Sequence, residues 1–119
     1  MFIQDLKDCE EFTAGDGCTL RELLHPDKEE LALRYSLAHA VVAPGQTTRP
    51  HRLTTSEVYY IMEGEGVMSI NGESRVVTPG QAVYIPPNAT QYIRNPGTKD
   101  LVFICIVDPA WRKEDEEVW

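Results

Sequence analysis

The sequence predicts an all-β fold, a sandwich or a barrel. Three observations carry that reading. Helical periodicity is scarce; eight Gly and eight Pro fall mostly between short apolar runs; and from residue 33 onward those runs recur with turn signals between them. Strands at such spacing belong to packed sheets rather than to alternating βαβ units.

Taken in order, residues 1–32 mix charged and apolar side chains. Thr19 to Leu24 reads as an edge strand, His25-Pro26-Asp27 as a turn, and Glu29 to Leu33 as a short helical turn. Leu33 to Ala43 is a strand ended by Pro44-Gly45, and Glu57 to Met62 is another, ended by Gly64-Glu65-Gly66. Val67 to Ile70 and Ser74 to Val77 flank Asn71-Gly72. That pair accepts positive φ at both central positions of a tight hairpin turn, so a hairpin is expected here. Thr78-Pro79-Gly80 leads into Gln81 to Ile85, which stops at Pro86-Pro87-Asn88. Gln91 to Asn95 stops at Pro96-Gly97, and Leu101 to Val107 at Asp108-Pro109. The acidic run Glu114 to Glu117, between Trp111 and Trp119, reads as a solvated short helix or tail that the tryptophans could instead anchor on the body or on a second subunit.

Composition bounds the function. A chain of 119 residues with 42% hydrophobic and 25% charged residues is expected to form one domain, 1–119, rather than a disordered chain. Eleven basic against nineteen acidic residues give a net charge of −8. Such a surface repels phosphate backbones and anionic lipid, so no nucleic-acid or membrane partner is expected. The longest apolar run, Leu101 to Val107, is far too short to span a bilayer. Met1-Phe2-Ile3-Gln4-Asp5 has no basic stretch leading into an apolar one, so no signal peptide is expected. Cys9, Cys18 and Cys105 form no Cys-x-x-Cys pair and read as free thiols of a cytoplasmic protein.

The residues that could carry chemistry fall at fixed intervals. Gly45, His51, Leu53, Glu57 and Gly64 are separated by five, one, three and six residues. Gly80, Pro86, Asn88, Gln91 and Asn95 are separated by five, one, two and three. In these two sets the chain resembles the cupin family, whose first motif is Gly-x5-His-x-His-x3-Glu-x6-Gly and whose second is Gly-x5-Pro-x-Gly-x2-His-x3-Asn. The resemblance implies a double-stranded β-helix (jelly-roll) barrel with its motif core at 45–95. Extra N-terminal strands would lie within 1–43, and a C-terminal strand with an acidic tail within 99–119. It also implies a homodimer, paired through sheet edges.

The departures concern the site. Metal-binding cupins hold one divalent ion with the three histidines and the glutamate of these motifs. His51 and Glu57 stand at matching positions, but Leu53 and Gln91 replace two of the histidines. Strand parity places His51 with Leu53, Glu57 with Tyr59 and Ile61, and Gln91 with Ile93 and Asn95, each set on one face. An interior of one imidazole, one carboxylate, one carboxamide and one phenol is expected. His51, Glu57 and Gln91 are then the candidate ligands for Zn²⁺, Mn²⁺, Fe²⁺ or Ni²⁺, with a neutral amide as the weakest donor. His39 is the one nearby histidine that could join them, although a surface or satisfied core position is the commoner fate of a strand histidine, as for His25.

Three functions compete. The first is a metal-dependent enzyme acting on a small organic or sugar-like molecule. The second is a metal-free epimerase or isomerase with His51 as base, oriented by Glu57, and Tyr59 as acid. The third is a module that binds or senses a small-molecule ligand without turnover. Arg49 and Arg52 could attract an anion to the mouth, with solvation as the plainer role for both.

Overall fold

Each β-run of the sequence finds a partner in one of two antiparallel sheets. The computed structural model describes residues 1–119, and nearly all its regular structure is strand. The strands are β1 (Glu11–Thr13), β2 (Thr19–Leu24), β3 (Ser36–Val42), β4 (His51–Leu53), β5 (Ser56–Glu63) and β6 (Gly66–Ile70). β7 (Glu73–Val77), β8 (Ala82–Ile85), β9 (Gln91–Arg94), β10 (Leu101–Asp108) and β11 (Glu116–Val118) complete them. One sheet runs β1-β2-β3-β10-β5-β8 and the other β11-β4-β9-β6-β7. No helix is long and apolar enough to cross a membrane.

Local chemistry explains the turns. Asn71 and Gly72 both take positive φ, 49° and 84°, and close the β6–β7 hairpin as the sequence predicts. Asn88, where the family motif has glycine, sits at φ 67°, a conformation asparagine tolerates. Its N–H donates to the Leu53 carbonyl at 2.7 Å, tying the second motif to the first.

Three terminal expectations change. Thr19 to Leu24 is no edge strand, because β1 pairs with its outer side and β3 with its inner one. Glu29 to Leu33 forms no helical turn; the chain turns over Pro26 to Glu29, with the His25 carbonyl accepting from both Lys28 and Glu29 N–H. The acidic tail forms one 3-10 turn, Lys113–Asp115, and then β11, which pairs with β4 in register Val118↔His51. Edge pairing outweighs charge solvation, since every second residue of β11 still faces water. Trp119 does anchor this tail: its N–H donates to the Pro50 carbonyl, and Arg52 lies over its ring.

The parity argument holds in space. His51 and Leu53, then Glu57, Tyr59 and Ile61, then Gln91, Ile93 and Asn95, are all buried between the sheets. His39 lies on the alternate face of β3 from the buried Ser36, Ala40 and Val42, opposite Arg21.

Candidate ligand cavity

A cavity of about 790 Å³ opens between the sheets at the end where β4 and β5 begin. Its inner wall carries His51, Glu57, Tyr59, Asp16, Cys18 and Cys105, and its outer part includes His25, Trp111 and Arg112. A space of this size, with apolar walls and a few converging polar groups, has the character of a small-molecule site.

Three of the four sequence-predicted residues are linked in a chain of hydrogen bonds, with His51 beside them on the cavity wall. Tyr59 O–H donates to Gln91 Oε1 at 3.0 Å, and Gln91 Nε2 donates to Glu57 Oε1 at 2.8 Å. Gln91 is thus used up between two neighbours and does not itself line the cavity. His51 Nδ1–H donates to the Arg49 carbonyl at 2.9 Å, so this carbonyl orients the ring. In the neutral imidazole that bond leaves the Nε2 lone pair free. Arg49 and Arg52 point elsewhere, to the Trp119 carbonyl and to Glu117.

Burial sets the electrostatics. Glu57 is pushed up to about 8, chiefly by desolvation and further by the charges of Asp16 and Glu116, with the Gln91 hydrogen bond opposing. It therefore holds its proton at neutral pH. The Tyr59 hydroxyl and the Cys105 thiol are driven well above their usual ranges by burial and by Glu57. Cys18 is raised by burial and by the neighbouring Asp16. These buried thiols are inert as nucleophiles. His39, on the outer face, is lowered by partial burial and by Arg21.

The donor set does not fit a divalent ion. Leu53 offers no ligand, and the Gln91 carbonyl that could coordinate instead accepts from Tyr59 while its N–H₂ is aimed at Glu57. No group of three His, Cys, Asp or Glu side chains is placed to hold a metal.

Two cavity groups escaped the sequence reading. Asp16 sits in the turn joining β1 to β2, where its Oδ1 accepts from Cys18 N–H at 3.0 Å. Arg49 N–H donates to the Asp16 carbonyl at 2.6 Å, docking that turn beside the His51 strand. Asp16-Gly17 signals a turn in the sequence, but nothing there says where the carboxylate points. His25 is the second. Its Nε2–H donates to the Trp111 carbonyl at 2.8 Å and its Nδ1 accepts from Asp27 N–H at 3.0 Å, so it is a satisfied histidine at the cavity's rim.

This fold and this polar interior define a small β-barrel protein with a cavity between its sheets. The Cupin domain family model matches residues 38–107, and the chain belongs to the cupin family. It is 39% identical over 108 residues to an uncharacterized protein of Methanocaldococcus jannaschii, covering 90% of this chain and 86% of that one. It is 30% identical over 88 residues to an oxalate-binding protein of Thermotoga maritima, covering 73% and 68%. Among solved structures, the fold is like that of Streptomyces PAC13, a nucleoside dehydratase, in a variant solved with uridine. The TM-score is 0.80 at 19% identity, over 100% of this chain and 91% of that chain. Relatives with such different roles leave the reaction to be argued from the site.

Proposed function

We propose that this cupin binds a small molecule in the His51–Glu57 cavity and moves protons on it without a resident metal, as an isomerase-, epimerase- or dehydratase-like enzyme. The observation that carries the reading is the opposed state of two cavity groups. His51, whose Nδ1 is bonded to the Arg49 carbonyl, has its Nε2 left without a hydrogen-bond partner, and Glu57 retains a proton because burial raises it to about 8. One environment makes an acceptor and the other a donor, the division of labour that acid–base catalysis at neutral pH needs. Glu57 Oε1 is taken by Gln91, so Oε2 is the oxygen available to deliver the proton. Tyr59, whose hydroxyl donates to Gln91, holds this arrangement and has a secondary part in the chemistry. A proton gained at His51 Nε2 would face Asp16 Oδ2, 3.8 Å away. The nucleoside dehydratase with a like fold supports the class of reaction; the oxalate-binding relative supports a binding role without turnover.

Elemental analysis of the purified chain, repeated after dialysis against Zn²⁺, Mn²⁺, Fe²⁺ and Ni²⁺, tests the metal-free part. We expect well under one ion per chain. Stoichiometric metal that disappears in both His51→Ala and Gln91→Ala would establish the metal-dependent alternative. Following the Glu57 carboxyl by carbon NMR tests the acid: a midpoint in the ordinary carboxylate range would remove the proton donor.

We also propose a cytoplasmic homodimer. The thiols are free, which suits a reducing compartment, and the strand faces outside the barrel expose Tyr60, Met62 and Tyr84. Light scattering should give twice the chain mass; the 13.4 kDa of a single chain at micromolar concentration would count against pairing.

A further inference from the structure

Asp16 carries a carboxyl group whose side chain is only 9% exposed, and one of its oxygens opens on the cavity. Oδ1 accepts from Cys18 N–H. Oδ2 has the His51 Nε2 as its neighbour at 3.8 Å, beyond hydrogen-bond reach, and it faces the cavity. A carboxylate oxygen in so enclosed a place keeps its hydrogen bonding where water or a guest in the cavity supplies the donor. His51 does not supply one, because its Nε2 lies 3.8 Å away.

The rest of the lining repeats the sign. Lys28 is spent on Glu22 at 2.6 Å and Arg112 on Asp27 at 3.3 Å. That leaves Lys113 against the acidic groups Asp16, Glu114 and Glu116. Both guanidiniums nearest His51 in sequence are turned to the C-terminal strand. No cation is therefore free at the inner wall to receive a phosphate or carboxylate group, and an anion would meet the buried Asp16 charge at low effective dielectric.

We propose that Asp16 selects the ligand: the cavity takes a molecule without an anionic group that presents an O–H or N–H donor to Asp16 Oδ2. This rests on the reading of the cavity as a small-molecule site. It adds that phosphorylated or carboxylated metabolites are discriminated against, and it names the discriminating residue. The apolar side of the guest would lie against Leu20, Ala38 and Val107, with Trp111 at the rim.

Matched pairs test it. Glucose against glucose 1-phosphate, and adenosine against adenosine monophosphate, with inorganic phosphate as a bare anion, are titrated into labelled protein while the His51 and Trp111 ring resonances are followed. The uncharged member of at least one pair should bind roughly tenfold more tightly than its phosphorylated partner, the order of one charge-assisted hydrogen bond. Asp16→Asn should bring that ratio close to unity. The variant keeps the acceptor for Cys18 N–H, and losing a largely buried charge should leave its unfolding temperature equal or higher. Phosphorylated members binding as well as their partners, a ratio unmoved by Asp16→Asn, or a marked fall in unfolding temperature in that variant would overturn the inference while the small-molecule reading stands. Silence from all five probes in both proteins would remove the small-molecule reading, and the inference with it.

Discussion

The two ends of the barrel are built from the same strands and differ in what those strands point inward. Register aligns the inward residues of β3, β10 and β5 in layers. Ser36, Val107 and Glu57 form the layer nearest the mouth, then Ala38, Cys105 and Tyr59; both layers line the cavity. Ala40, Phe103 and Ile61 follow, then Val42 and Leu101, and none of these reaches it. Small or polar residues at one end leave space; large apolar residues at the other fill it. Packing at the filled end is tight enough that a Cβ on Gly66 would lie 3.0 Å from Ile93 and Leu101 side-chain atoms. A cavity in a small barrel thus arises from side-chain volume distributed along strands, with no change of backbone plan.

Breaking the filled end should cost most. Phe103 is buried against Tyr59, with ring centroids 4.4 Å apart. Phe103→Ala is expected to destabilise by about 4 kcal/mol in urea unfolding. A loss under about 1 kcal/mol would mean that this end is not close-packed.

A smaller effect sharpens the contrast, because one substitution can be placed in both halves. Ala40→Leu adds volume to a filled layer and should cost about 2 kcal/mol. Ala38→Leu, two residues away on the same face, has cavity to grow into and should change stability by no more than about 0.5 kcal/mol. It should nonetheless weaken binding of any ligand that shifts the His51 resonance. Equal costs at both positions would contradict the layered difference.

A third test, made at the open end, is with pH. Glu57 keeps its proton in the fold up to about 8, whereas an exposed glutamate loses it near 4.5. The folded state therefore binds more protons between those values, and the Glu57 contribution to stability, complete below about pH 4.5, declines as pH rises towards about 8. The stability of the native chain relative to Glu57→Gln should fall by about 1.4 kcal/mol per pH unit inside that window and level off outside it. A flat difference would show that Asp16, Glu116 and burial do not hold the proton on Glu57.

Much of this was legible in one dimension. Asn71-Gly72 and Asn88 declare their turns through backbone conformations that few residues tolerate. The period of two carries His51, Glu57, Tyr59 and Gln91 inward, because side chains alternate across a pleated strand whatever its neighbours are. The cupin spacing of the two motifs rests on the same regularity. What escaped is not local. The destination of the Asp16 carboxylate depends on a turn docking on Arg49, thirty-odd residues on, through a backbone bond.

The chain itself therefore determined the strands, the tight turns and the inward register, since each follows from steric and pairing rules acting within a few residues. Only the tertiary structure decided that Gln91 would be consumed between Tyr59 and Glu57, that Glu57 would keep a proton, and that Asp16 would face an open cavity. Those outcomes are set by desolvation and by hydrogen-bond competition among groups distant in sequence, and neither exists until the sheets close over them.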